Sequence, residues 1–240
     1  MPPTGPQRDP RPDVARANRL YYETPAVAAG YAARGWLFLA EEFVFSYLRD
    51  EIAGRRLLDI GVGGGRTTPH LRALAGTYTG IDYSEEMLRH CRTRHPDADL
   101  RLCDARRMDL FGDGELEVVC MSFNAIDDVD PVDRLLILRE VHRVLRPGGL
   151  FFFSSNSLEA DSRSLQAGEI EKGCAVVMDE MPDSPPLPTC CVTRRAQTAQ
   201  LAGLGFDRVE IVSQAGELVA ADAACGDRWF YYIARKTVTG

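Results

Sequence analysis

The sequence predicts an α/β fold in which a doubly wound, mostly parallel sheet is covered by helices on both faces. From residue 55 onward, short apolar runs alternate with amphipathic segments, as expected for strands and helices that form βαβ units. A glycine-rich turn follows the first apolar run directly, and two late apolar runs are close enough along the chain to pair antiparallel. A chain of 240 residues is long enough for one large domain of this kind.

The N-terminal quarter predicts a tail followed by helices. Five prolines fall within residues 1–13 and indicate a disordered, Pro-rich tail. Residues 14–54 have apolar and aromatic positions at three- and four-residue spacing, which is typical of helices. Pro25 and Gly35 are expected to divide this segment into two or three helices.

Residues 55–156 alternate strands with helices. Asp130 and Pro131 suit the N-cap and first position of the helix with the clearest signals, which the turn at residues 147–149 ends. The predicted strands are Arg56–Ile60, Tyr78–Asp82, Leu100–Cys103, Glu117–Ser122 and Leu150–Ser154. The predicted helices are Arg66–Ala75, Glu85–Arg94 and Val132–Leu145.

The last third of the chain is less regular. Residues 157–192 are polar, Pro-rich and weakly periodic, so we expect loops there. In residues 193–240, the pattern predicts a helix at Thr193–Leu204 and strands at Arg208–Ser213 and Trp229–Arg235. We expect residues 14–240 to form a single domain.

Composition and charge exclude several classes of protein. The net charge of −7 argues against a general nucleic-acid binder, which needs Lys and Arg to neutralise phosphates. No apolar run is long enough to span a membrane and no signal peptide is present, so a cytoplasmic protein without a membrane partner is expected. Without export, the seven cysteines are expected to be reduced thiols. They include no CxxC pair and no His partner at ligand spacing, which predicts no metal site. A redox or metal role for Cys190 and Cys191 stays open.

The strongest chemical signal is the glycine-rich turn after the first strand. Its spacing, D-x-G-x-G-x-G from Asp59 to Gly65, differs from the dinucleotide fingerprint G-x-G-x-x-G. The second strand ends at Asp82, where an acidic side chain suits hydrogen bonds to both hydroxyls of a ribose. The third strand ends near Asp104 and the fourth near Ser122. Because open α/β sheets bind ligands at the carboxyl ends of their strands, these loops predict one nucleoside site.

Four segments in this order, LLDIGVGGG, GIDYSEEML, CDARRMD and LREVHRVLRPGGLFFFS, resemble the class I, Rossmann-like S-adenosylmethionine-dependent methyltransferases. The resemblance covers roughly residues 57–156. It implies seven strands in the order 3-2-1-4-5-7-6 with strand 7 antiparallel, and N-terminal helices that close over the site as a lid. It also implies S-adenosylmethionine as cofactor, S-adenosylhomocysteine as product, and residues 157–192 as a substrate-recognition insertion.

The resemblance implies roles for residues of the first two strand ends. Gly61, Gly63 and nearby backbone, including Gly65, would hold the methionine moiety of the cofactor. Asp59 would shape the loop or reach the amino group. Asp82 would accept from the ribose hydroxyls.

Further contacts are implied along the rest of the cofactor. Asp104 would accept from the adenine amine, with the Ala105 amide beside it, and Ser122 and Phe123 would lie along the cofactor. Tyr83 and Met87 would flank the adenine, although core packing explains these two side chains about as well. Tyr31 would belong to the lid together with its neighbours Tyr21, Tyr22 and Arg34, for which core packing and surface charge are alternatives.

Candidates for a catalytic role follow strands 4 and 5. The segment FNAIDDVD places three carboxylates in the loop that faces the expected pocket, and Asp130 is explained as a helix cap. Asp127 is the first candidate for proton transfer or substrate contact, with Asn124 and Asn156 beside it. A solvated acidic loop is the alternative explanation of Asp127 and Asp128.

The resulting prediction is in-line methyl transfer to a small-molecule acceptor, a metabolite or natural-product intermediate. One alternative is an enzyme that uses S-adenosylmethionine as an electrostatic aid for cyclisation or elimination. Another is a non-catalytic subunit that binds the cofactor. An NAD-dependent enzyme is disfavoured by the glycine spacing. A homodimer through Trp36, Phe38 and Trp229 is left open.

Overall fold

The computed structural model describes residues 13–160, 173–179 and 186–238. The predicted tail at residues 1–13 lies outside the described residues except for its last residue, and so does half of the 157–192 insertion.

Four of the eight described α-helices begin at a side chain that caps their first turn. The Asp130 carboxylate accepts from the backbone N–H groups of Val132 and Asp133 with Pro131 at the first position, as predicted. Ser84 caps the helix after the second strand in the same way. The helices are α1 (Val14–Tyr22), α2 (Pro25–Ala32), α3 (Leu39–Tyr47), α4 (Arg49–Ile52), α5 (Thr68–Leu74), α6 (Glu85–Arg94), α7 (Pro131–Val144) and α8 (Arg194–Gly203). The N-terminal segment thus forms four helices instead of two or three, because Leu48 leaves helical geometry between α3 and α4.

The strands form one large sheet and one hairpin. They are β1 (Arg56–Ile60), β2 (Thr77–Asp82), β3 (Asp99–Leu102), β4 (Leu116–Met121), β5 (Leu145–Asn156), β6 (Cys174–Asp179), β7 (Leu187–Val192), β8 (Phe206–Val212), β9 (Leu218–Val219) and β10 (Trp229–Lys236). The large sheet has the order β3-β2-β1-β4-β5-β10-β8-β9. Strands β1 to β5 are parallel, and β10 runs antiparallel to both β5 and β8.

This arrangement confirms the predicted fold class. With β10 as strand 7 and β8 as strand 6, the first seven strands follow the expected order 3-2-1-4-5-7-6. The two-residue edge strand β9 and the β6–β7 hairpin were not predicted. The insertion was expected to form loops, but part of it forms this hairpin. Its apolar residues Ala175, Val177 and Cys191 pack on Leu158, which stabilises the paired strands. Across it, the Cys190 sulfur lies 2.9 Å from that of Cys174.

The core lies on both faces of the large sheet. Because successive strand residues point to opposite faces, Leu58 and Phe153 pack beneath α7, whereas Leu57 and Phe152 pack beneath α3. All three phenylalanines of residues 151–153 are completely buried. Because the strands are buried on both faces of the sheet, their sequences are continuous apolar runs.

The described residues include neither a membrane-spanning helix nor a cluster of metal-binding side chains. Among them, no helix has the length and apolar character needed to cross a membrane. The same part of the chain contains no group of three His, Cys, Asp or Glu side chains arranged to hold a metal ion.

Candidate functional site

Three adjoining cavities lie at the carboxyl ends of the parallel strands. The glycine cleft, about 640 Å³, lies over the turn at residues 61–64 after β1. The strand-3 pocket, about 470 Å³, lies beside residues 103–106 after β3. The aromatic pocket, about 880 Å³, lies between the N-terminal helices, β5 and β10. Asp128 lines all three cavities, so they meet at one side chain.

The glycine turn is shaped by close approaches that leave no room for side chains. A Cβ atom at Gly61 would lie 2.8 Å from the Ala125 Cβ, and one at Gly64 would lie 2.6 Å from the Ala32 nitrogen of α2. Gly61 and Gly63 line the glycine cleft, as expected. Gly65 is not among the residues that line the cavities, and a Cβ there would meet His95 after α6. Its cofactor contact therefore gains no support from the geometry.

Asp82 has the most constrained carboxylate of the site. Its Oδ2 accepts from the Gly63 N–H at 2.9 Å and its Oδ1 from the Ser84 N–H at 2.9 Å. The side chain is buried and lines both the glycine cleft and the strand-3 pocket. Burial raises the pKa of Asp82 to about 6, although the backbone donors oppose this shift.

Asp59 lies behind the glycine cleft. Its Oδ2 accepts from the Tyr78 hydroxyl at 2.9 Å and from the Thr67 hydroxyl at 3.2 Å, and the residue is not among those that line the cavities. Burial raises the pKa of Asp59 to about 7, against the effect of these two donors. Of its two expected roles, this position favours shaping the loop over reaching an amino group.

The strand-3 pocket contains the residues expected around the adenine. Asp104 and Ala105 line it, and Tyr83 lines both this pocket and the glycine cleft. The Tyr83 hydroxyl is buried without a hydrogen-bond partner among the described residues. Both Asp104 carboxylate oxygens accept from the Arg106 guanidinium, Oδ1 at 3.0 Å and Oδ2 at 2.6 Å. Although burial opposes it, this guanidinium holds the pKa of Asp104 below its usual value.

The loop after β4 separates the glycine cleft from the aromatic pocket. Phe123 and Asn124 both have φ of +58°, in the left-handed region that side chains rarely adopt. The Asn124 N–H donates to the Ser154 hydroxyl at 2.8 Å, and its Nδ2 donates to Asn156 Oδ1 at 3.0 Å. The Asn124 Oδ1 is buried and has no hydrogen-bond partner among the residues that the structure describes. The predicted pair Asn124 and Asn156 is thus brought together on the wall of the aromatic pocket.

The two adjacent acidic residues of this loop have different surroundings. Asp127 is completely buried, paired with Arg134, and accepts from the Ser155 hydroxyl at 3.0 Å and the Asn156 N–H at 2.6 Å. It does not line any of the three cavities. Asp128 faces all three, and the Tyr22 hydroxyl donates to its Oδ1 at 3.3 Å. This geometry gives Asp128, not the first candidate Asp127, access to a ligand.

Two arginines line the glycine cleft on the side of the N-terminal helices. Arg66 is buried and binds the Glu41 carboxylate with two nitrogens, at 2.5 and 2.6 Å. The Arg34 guanidinium lies 4.2 Å from the centre of the Tyr31 ring and 5.3 Å from that of Phe123. Arg34 forms no ion pair with a described residue, so its charge is available in the cleft.

Other residues expected at the site are also found there. Ser122 and Met87 line the glycine cleft, and Tyr31 lines both this cleft and the aromatic pocket. Phe38 and Trp229, suggested for a dimer, line the aromatic pocket with their ring centres 5.2 Å apart. Trp36 remains 51% exposed.

Several lining residues were not assigned to the site from the sequence: Glu41, Arg66, Thr189 and Tyr231. They lie far apart along the chain, and no local pattern indicates that they meet.

Comparison with known proteins identifies the class. Residues 58–153 match the family described as "Methyltransferase domain". A probable S-adenosylmethionine-dependent methyltransferase of Mycolicibacterium smegmatis is 31% identical over 144 residues, which are 60% of this chain and 54% of that protein. A ubiquinone biosynthesis O-methyltransferase of Thiobacillus denitrificans is 32% identical over 120 residues, 48% of this chain and 50% of that protein. The chain thus spans about half the length of the curated relatives it matches.

Solved structures share the fold over nearly the whole chain. The DhpI-SAM-HEP complex aligns with a TM-score of 0.68 and 21% identity, covering 95% of this chain and 100% of that one. The CcbJ methyltransferase of Streptomyces caelestis aligns with a TM-score of 0.66 and 17% identity, covering 90% and 99%. These comparisons confirm the resemblance to the class I S-adenosylmethionine-dependent methyltransferases that the motifs implied, with the matched methyltransferase domain at residues 58–153.

Proposed function

We propose that this protein binds S-adenosylmethionine across the glycine cleft and the strand-3 pocket, and transfers its methyl group to a small molecule held in the aromatic pocket. The observation that carries the proposal is the buried Asp82 carboxylate, which two backbone N–H groups fix where the first two cavities meet. Each oxygen keeps acceptor capacity for one ribose hydroxyl.

The residues present fit the cofactor at each of its parts. Arg34 supplies a cation in the glycine cleft for the carboxylate of the methionine moiety. Asp104 and the Ala105 amide lie beside the strand-3 pocket, where an adenine needs an acceptor and a donor. The unpartnered Tyr83 hydroxyl, buried between the two cavities, offers a further polar contact that the protein itself leaves unused.

The cofactor, when bound, supplies a methyl group activated by a positively charged sulfur. The protein contributes orientation and exclusion of water. Tyr22, Tyr31 and Phe123 line both the glycine cleft and the aromatic pocket, so an acceptor in the aromatic pocket can face the cofactor directly. Such positioning supports an in-line displacement, since alignment of the reacting atoms supplies much of the rate.

The polar residues after β4 and β5 have distinct proposed roles. Asn124 and Asn156 orient the acceptor, because both line the aromatic pocket and hold each other through their side chains. Asp127 acts as a positioning residue through its contact with the Asn156 N–H. Its direct catalytic role stays a prediction, for which the geometry offers no contact with a cavity.

The test combines binding and transfer. Calorimetry should detect S-adenosylhomocysteine but not NAD, and incubation with methyl-labelled S-adenosylmethionine and a metabolite extract should yield a labelled small molecule. Binding without label would favour the cyclisation, elimination or non-catalytic alternatives. Binding of NAD without S-adenosylhomocysteine would overturn the proposal altogether.

A further inference from the structure

We propose that the aromatic pocket recognises a cation, and that the acceptor it holds is an amine whose nitrogen receives the methyl group. This inference rests on the proposed function and specifies its substrate class. It depends on three features of the pocket: its aromatic walls, the sign of its charge, and its unpaired acceptors.

Half of the fourteen described residues that line the pocket are aromatic. Tyr31 packs edge-to-face on Phe123 at 6.0 Å, Phe38 stacks on Phe123 at 5.8 Å, and Trp229 packs on Tyr231 at 6.1 Å. The faces of such rings carry negative charge density and attract ammonium groups. The seven aromatic residues are Tyr21, Tyr22, Tyr31, Phe38, Phe123, Trp229 and Tyr231.

The charged residues that line the pocket wall have a single sign. None of the described residues that line it is Lys, Arg or His, and the charged ones are Glu41 and Asp128. The Arg34 and Arg66 guanidiniums of the neighbouring glycine cleft lie 5.3 and 4.7 Å from the centre of the Phe123 ring. Arg66 neutralises Glu41 from outside the pocket through two hydrogen bonds. Asp128 forms no ion pair with a described residue, and it lies at the point where the three cavities meet.

The surroundings of Asp128 disfavour a negative charge without a partner. Burial first, and the nearby Asp127 carboxylate second, raise the pKa of Asp128 well above its usual value, against the Tyr22 hydroxyl that donates to it. A cation in the aromatic pocket relieves this penalty, because an opposite charge at short range stabilises the ionised form.

The acceptor oxygens of the pocket also suit a ligand that donates hydrogen bonds. Within the described part of the chain, the buried Asn124 Oδ1 has no hydrogen-bond partner, and Asn124 lies on the pocket wall with Asn156. An ammonium group, which has only donors, can satisfy Asn124 Oδ1 and Asp128 together, whereas a hydroxyl has a single hydrogen to donate.

The proposed methyl transfer needs only the bound ammonium, the Asp128 carboxylate and S-adenosylmethionine. The bound ammonium gives one proton to the Asp128 carboxylate, which leaves a nitrogen lone pair. The nitrogen then forms a bond to the methyl carbon while the carbon–sulfur bond breaks, and its electron pair stays on sulfur. The products are S-adenosylhomocysteine and a methylated ammonium, and Asp128 returns its proton to solvent when they leave.

The test uses shape-matched probes on the full chain saturated with S-adenosylhomocysteine. Calorimetry compares choline with its neutral carbon isostere, 3,3-dimethyl-1-butanol, and with the anion 3,3-dimethylbutanoate. Choline should bind roughly tenfold more tightly than the neutral isostere, the amount expected of a cation among aromatic rings and a carboxylate. Equal affinity, tighter binding of the neutral or anionic probe, or no choline binding would overturn the inference.

Matched variants test whether the preference for choline arises in the aromatic pocket. Asp128→Asn and Trp229→Leu should each remove most of the preference for choline, whereas Asp97→Asn and Tyr47→Leu, at exposed positions outside the pocket, should retain it. Unfolding midpoints establish that each variant is folded. A preference that survives both pocket variants would exclude this pocket as its source.

Paired acceptors test the transfer itself. With labelled S-adenosylmethionine, 2-phenylethylamine should gain label faster than 2-phenylethanol, and label confined to the alcohol would overturn the amine assignment. Failure of S-adenosylhomocysteine to bind would instead refute the proposed function. The two failures are therefore distinguishable.

Discussion

Asp127 and Arg134 form an ion pair in which both side chains are completely inaccessible to solvent. Arg134 also donates to Ser155 at 2.9 Å and to Gln197, while Asp127 accepts from the Asn156 N–H. The pair therefore joins α7 and α8 to the end of β5. It holds the wall of the aromatic pocket from behind and does not face its interior.

Loss of one partner of this pair should be costly for stability. Asp127→Asn leaves the Arg134 charge buried without compensation and should lower the free energy of unfolding by about 3–5 kcal/mol. Urea denaturation measures this change. The double variant with Arg134→Met should recover part of the loss, since the uncompensated charge is then absent. Normal stability with abolished turnover would instead support the catalytic role predicted for Asp127.

Asp82 should control cofactor affinity. Asp82→Asn replaces an acceptor by a donor at one position and removes the charge that strengthens both ribose hydrogen bonds, so affinity for S-adenosylhomocysteine should fall roughly tenfold to a hundredfold. Calorimetry measures the change. Asp97→Asn, at an exposed position, should bind like the native chain.

Cofactor affinity should also depend on pH through Asp82. Its pKa is raised to about 6 in the free protein, and ribose hydroxyls favour the ionised form. Affinity should therefore fall as the pH drops below about 6. The Asp82→Asn variant should lack this part of the dependence, and an identical pH profile for both proteins would contradict the assignment.

Asp59 should make the stability of the free protein fall as the pH rises, whereas Asp82 should make cofactor affinity fall as the pH drops. Burial raises its folded pKa from 3.8 to about 7, so its contribution is fully present below the unfolded pKa and is lost as the pH rises through about 7. Between pH 5 and 8, the native chain should lose roughly 2–3 kcal/mol relative to Asp59→Asn. Paired urea denaturation at the two pH values tests this difference, and parallel pH profiles would refute it.

Close packing of the glycine turn on α2 should be essential for the cleft. A Cβ at Gly64 would approach the Ala32 nitrogen to 2.6 Å, so Gly64→Ala must displace the helix that carries Tyr31, at a cost of roughly 1–3 kcal/mol. Affinity for S-adenosylhomocysteine should fall about tenfold. Gly35→Ala is the matched control, because a Cβ there meets nothing within 4 Å. Equal losses in both variants would show that the effect is not local to the turn.

Elements with local signals were predictable. The helix that begins at Asp130 and Pro131 and the strand Arg56–Ile60 follow from neighbouring residues, and the structure confirms both. The β6–β7 hairpin was missed because its stability comes from contacts with Leu158, which no local pattern reports. Likewise, Glu41 and Tyr231 are 190 positions apart, and only the fold brings the Tyr231 hydroxyl within 3.2 Å of the Glu41 carboxylate.

The sequence by itself determined the fold class and the loops at the carboxyl ends of the parallel strands, because alternating apolar runs and a glycine turn are properties of adjacent residues. The expected strand order came from the resemblance to a known family. Only the tertiary structure decided which of two adjacent acidic residues lines the cavities. Asp127 and Asp128 are equivalent in the sequence, but the short turn at Ala125–Asp127 directs the first toward Arg134 and leaves the second lining the cavities. That choice depends on packing of α7 against β5, which is set by contacts between distant segments.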